Sequence, residues 1–68
     1  MSAYKIISVV GTSSKSWEDA AQAAVGAAAK SLRDLRIARV TDMDVTVDKK
    51  GKITQYRCRV DLSFKYEI

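Results

Sequence analysis

From Tyr56 onward the chain alternates without a break. Tyr56, Cys58, Val60, Leu62, Phe64 and Tyr66 fall on one side, and Arg57, Arg59, Asp61, Ser63, Lys65 and Glu67 on the other. A period of two over that length predicts a long β-strand with one dry and one wet face. Such a dry face needs an apolar surface of matching size. The chain has 68 residues, and the only helix-like segment it offers is mostly alanine. A domain this short buries only roughly 60% of its unfolded-chain surface and is marginal alone. The sheet is therefore expected to exceed what its own helix can cover, and self-assembly is the first functional expectation.

Three more elements follow from local pattern. Tyr4 to Val10, with Ile6, Ile7, Val9 and Val10, reads as a first strand ending at Gly11, where the chain can turn without Cβ strain. Ser16, followed three residues later by Asp19, matches a helix N-cap, and Glu18 and Asp19 suit the positive end of the helix dipole. Trp17, Ala21, Ala24, Val25, Ala28, Leu32 and Leu35 recur at three- and four-residue steps, which predicts an amphipathic helix to about Leu35. Gly26 within it costs about 1 kcal/mol relative to alanine unless the sheet or a neighbouring subunit packs tightly there. Trp17 lies in step with the core positions and is expected to act as a packing anchor.

A second strand is expected from Ile37 to Asp48. Simple alternation puts Ile37, Met43, Val45 and Val47 on one face, and Ala38, Val40, Asp42, Asp44, Thr46 and Asp48 on the other. Lys49-Lys50-Gly51-Lys52 is the turn into the third strand, Gly51 supplying a positive-φ position. The order is β-α-β-β, an α+β domain over residues 1–68. A hairpin whose partner numbers sum to about 101 sets Asp44 opposite Arg57 and Asp42 opposite Arg59 on the wet face, a carboxylate–guanidinium ladder.

Several functions are disfavoured. The chain has no histidine, only three glycines and no Gly-rich phosphate loop, so the commonest general base and metal ligand is missing and an enzyme is not expected. The single Cys58 lies on the dry face and reads as a buried thiol. The net charge is +4, but the basic residues are scattered and the aromatic ones sit on the dry face, which argues against nucleic acid and leaves room for an anionic small molecule. No apolar run approaches the roughly 20 residues that cross a bilayer, and Met1 to Lys5 has no signal-peptide core, so a cytoplasmic protein away from the membrane is expected. Asp42, Asp44 and Asp48 offer hard oxygen ligands without the spacing of a calcium loop. As a metal site, Asp42 and Asp44 would need symmetry-related copies to complete it.

Several pieces together resemble the dodecin family over nearly the whole chain. They are the β-α-β-β order, the opening Tyr4-Lys5-Ile6-Ile7-Ser8-Val9-Val10-Gly11-Thr12-Ser13, the segment Ser16-Trp17-Glu18-Asp19-Ala20-Ala21, and the closing strand from Tyr56 to Phe64. The resemblance implies a three-stranded antiparallel sheet wrapped around one helix, in a hollow homododecamer with two-fold and three-fold axes. It also implies non-catalytic storage of flavin (riboflavin or FMN), held in pairs near the two-fold axes, with coenzyme A or flavin nucleotides in some members. The family's flavin-stacking tryptophan matches Ile37, its flavin-bonding glutamine matches Arg57, and its second-strand Arg-Gly matches Asp44-Val45. These departures place the cofactor site at Ile37, Asp44 and Arg57 and predict weak or absent flavin binding, because isoleucine cannot stack and an Asp44–Arg57 pair would occlude the surface. The alternative is a dodecameric scaffold or divalent-cation-binding shell without flavin.

Overall fold

A computed structural model describes residues 2–66, without the side chain of Tyr66. The sequence-predicted outward and inward places of Glu67 and the Tyr66 side chain lie outside the described residues. The elements are β1 (Ala3–Ser13), α1 (Trp17–Ala29), β2 (Leu35–Val47) and β3 (Ile53–Tyr66). They form one sheet in the order β1-β3-β2, both pairings antiparallel. The strand with the longest alternation is thus central, flanked by two partners.

The loops explain why the elements start and stop where they do. Ser16 is extended and its Oγ accepts the Asp19 N–H at 3.0 Å, capping the helix as the sequence predicts. The Asp19 carboxylate also accepts the Ser13 hydroxyl at 2.7 Å, and that hydroxyl accepts the Lys15 N–H at 2.9 Å, so the buried Ser13 leaves no polar atom unmet. At the hairpin, Asp48 belongs to the turn rather than to β2. Its carboxylate accepts the N–H groups of Lys50 and Lys52 at 2.8 and 3.0 Å, while Gly51 takes the expected positive φ of 80°.

The helix is shorter than its apolar spacing suggests, ending at Ala29 instead of near Leu35. The Ser31 and Leu32 N–H groups both donate to the Ala28 carbonyl, and Asp34 turns the chain at φ 58°, a left-handed conformation that Asp tolerates. Leu32 packs on the core from this turn, and Leu35 opens β2 opposite Phe64. Sheet pairing therefore takes the residues that helical periodicity would have assigned to two further turns.

Gly11 has a different task from the one the sequence suggests. β1 runs through it to Ser13, opposite Cys58 and Tyr56 of β3, and the helix crosses directly above. A Cβ at Gly11 would clash with the Ala20 carbonyl oxygen and lie 3.0 Å from the Ala24 Cβ. Gly26, by contrast, would meet nothing within 4 Å, so the sheet does not account for that glycine.

The faces of β2 also differ from simple alternation. A bulge at Thr41 separates Val40↔Val60 from Asp42↔Arg59 and shifts parity by one. Ala38, Val40, Met43 and Val45 therefore share the helix-side face with Leu62, Val60, Cys58 and Tyr56, while Ile37 and Arg39 join Asp42 and Asp44 on the opposite face. The core is small, consisting of Ala20, Ala24, Ala28, Cys58, Val60 and Leu62. Val40 and Met43 face the helix side but remain exposed, because α1 lies over β1 and β3. The radius of gyration, 14.0 Å, exceeds the roughly 11 Å of a compact chain of this length. The apolar residues left uncovered on the helix side are those of β2, whereas the dry face of β3, expected to outrun the helix, is buried at Cys58, Val60 and Leu62.

Gly11→Ala forces the helix off the strand and is expected to destabilise the protein by about 3 kcal/mol or more. Chemical denaturation checks this, and an unchanged midpoint would contradict the close approach.

Candidate ligand-binding face

The face turned away from α1 is built in rungs, because directly opposed residues of antiparallel strands share a side. Reading across β1, β3 and β2, the rungs are Ile6–Ser63–Ile37, Ser8–Asp61–Arg39, Val10–Arg59–Asp42 and Thr12–Arg57–Asp44. One end is apolar around a serine and the other is charged. The polarity gradient runs along the strands.

At the charged end the hairpin register is as predicted, with Asp44 opposite Arg57. The pair is bidentate: Arg57 Nε donates to Asp44 Oδ1 at 2.6 Å and Nη2 to Oδ2 at 2.9 Å. The hydrogen bond from Arg57 holds the Asp44 carboxyl below its ordinary range, and the same bond holds the Arg57 guanidinium above its own. Asp42 faces Arg59 as expected, yet among the described residues the only ion pair is Asp44–Arg57. The predicted ladder thus has one closed rung.

This rung is anchored from behind. Trp17 Nε1–H donates to the Asp44 carbonyl oxygen at 3.1 Å, and the indole meets the Tyr56 ring edge-to-face with centroids 5.1 Å apart at 77°. Tyr56 precedes Arg57, so one tryptophan on the helix side fixes the backbone of both strands beneath the pair. Sequence reasoning placed Trp17 as a packing anchor; its acceptor on β2 carried no signal in the local pattern.

Ile37 shares the face but not the place. Its partner Ser63 lies six positions along β3 from Arg57, about 20 Å at the rise of a strand. One protomer therefore unites Asp44 with Arg57 and leaves Ile37 at the far end. The described residues also contain no group of three His, Cys, Asp or Glu side chains able to hold a metal. Asp42 and Asp44 share a face, but Arg57 already engages Asp44. Cys58 is buried on the helix side. The Ser8 hydroxyl also donates to the Asp61 carboxylate across β1 and β3, an interaction the sequence did not signal.

The family model for dodecin matches residues 3–67. The chain belongs to the dodecin family. Calcium dodecin of Mycobacterium tuberculosis is 52% identical over 65 residues, covering 96% of this chain and 90% of that protein. The crystal structure of that calcium dodecin, described as calcium chelating with a novel calcium-binding site, matches at TM-score 0.83 and 48% identity, over 96% of this chain and 91% of that one. An arginine-to-alanine variant of the T. thermophilus dodecin superposes at TM-score 0.90 and 32% identity over the full length of both chains. As a dodecin the protein is a small-ligand-binding protein.

Because Asp44 has a lowered folded-state pKa, its contribution to stability is complete above the unfolded value, about pH 4, and is lost only as pH falls through the lower folded value. Carboxyl NMR titration is expected to show Asp44 titrating below its ordinary range, and returning to it in Arg57→Gln. Trp17→Phe keeps the ring contact and deletes the bond to the Asp44 carbonyl. It is expected to lower stability by about 1 kcal/mol, read from thermal unfolding.

Proposed function

We propose that this dodecin assembles as a hollow dodecamer in the cytoplasm and sequesters, without turnover, a small ligand other than flavin. The bidentate Asp44–Arg57 pair carries this reading. It ties up the guanidinium at the position matching the family's flavin-bonding glutamine. A flavin arriving there would have to displace a charge-assisted pair and leave a carboxylate uncompensated. Ile37, at the matching place of the stacking tryptophan, supplies an aliphatic surface that gives no aromatic sandwich. The roughly 20 Å between the two places within one protomer supports a site completed between copies, one contributing its Ile37 end and another its Asp44–Arg57 end.

A second reading, a divalent-cation-binding shell, is favoured by one observation, the 52% identity to a protein named calcium dodecin. Carboxylate oxygens are the donors that calcium prefers. Within one protomer the described residues make no cation cage, so Asp42, and Asp44 if released from Arg57, would act through copies around a symmetry axis.

Native mass spectrometry of the assembly with FMN, and separately with calcium chloride, tests both. Twelve subunits with no flavin mass are expected, and retained flavin would overturn the first reading. Calcium mass lost on Asp42→Asn would support the second. Ile37→Trp combined with Arg57→Gln is expected to raise flavin affinity by about tenfold or more, measured by quenching of flavin fluorescence.

A further inference from the structure

The apolar end of the same face holds a cleft of about 500 Å³ lined by Ile6, Ile37, Ala38, Arg39, Asp61 and Ser63. That volume lies in the range of small-molecule sites. Its shape follows from register, since Ile6 and Ile37 both stand opposite Ser63, one on each side. Two strand spacings put the outer strands about 10 Å apart, with a serine floor between aliphatic walls. Ile6 is 63% exposed and Ile37 66%, the highest values among the exposed large apolar side chains.

The next rung closes the cleft with charge. Arg39 lines the cleft directly opposite Asp61 and makes no ion pair among the described residues, so its donors are not taken up by a carboxylate of the protomer, while the Asp61 carboxylate beside it is held by Ser8. The lining contains no aromatic ring. We infer that this cleft takes an amphiphilic anion, its aliphatic body between Ile6 and Ile37 and its carboxylate or phosphate on Arg39. The inference rests on the ligand-sequestering reading and names the chemical class of the ligand.

The probe is carboxyl-labelled octanoate, titrated by NMR into the assembled wild-type protein, with octanol as the uncharged comparator. Saturable octanoate binding is expected, weakened about tenfold by Arg39→Gln and lost in Ile37→Ser, with assembly verified by light scattering. In the wild type alone, added salt is expected to weaken octanoate and leave octanol unchanged. No saturable binding, equal affinity for octanol, or indifference to Arg39→Gln would overturn the inference. If octanoate fails while the same assembly retains another non-flavin small ligand, the cleft assignment falls and the sequestering function stands. If the assembly retains FMN, the function falls with it.

Discussion

The structure depends on how closely α1 lies on β1. Gly11 leaves no room for even a methyl group beneath the Ala20 carbonyl, and Ala24 packs on the same spot. A helix brought down that far must present small side chains, which is why its buried residues are Ala20, Ala24 and Ala28. Small side chains bury little apolar area each, at roughly 25 cal/mol per Å². Close approach and a weak protomer core are therefore one choice. The larger apolar residues of β2, Val40 and Met43, remain outside that contact, and an assembly is the physical means of covering them.

The opposite face follows from the central position of β3. Its alternation is fixed by the helix on one side, so Arg57, Arg59, Asp61 and Ser63 each acquire two cross-strand neighbours at once. The bulge at Thr41 then decides which β2 residues join them. Without that extra residue, Ile37 and Arg39 would turn toward the helix side when Asp42 and Asp44 face away. One inserted position thus creates a face that is apolar at one end and ionic at the other.

Much of this was legible in the chain, and the reason is locality. The β3 alternation, the Ser16 cap and the sum of 101 across the hairpin are set by residues near one another, with the turn fixing register. The Asp44–Arg57 pair came from parity alone. What escaped the sequence depends on contacts between distant segments. The β1–β3 register, and with it the Ser8–Asp61 bond, spans a helical crossover with no turn to set it. The role of Gly11 needs the position of the helix overhead, and the early end of α1 reflects the pull of β3 on Leu35. Thr41 carries no local mark of a bulge, so simple alternation put Ala38 and Val40 on the wrong face.

Separation of the two ends of the sheet face has a thermodynamic consequence. An ion pair exposed on one protomer is held by modest net energy, since water competes for both partners. The aliphatic walls around Ser63 likewise gain little until something shields them. If ligand retention draws on both ends through neighbouring copies, the ligand binds the assembly and not the free chain. Ligand and assembly then stabilise one another by mass action, and dilution below the assembly threshold releases the cargo without any conformational switch. On that reading, ligand retention and assembly are coupled equilibria, and a protomer with so small a core gains from both.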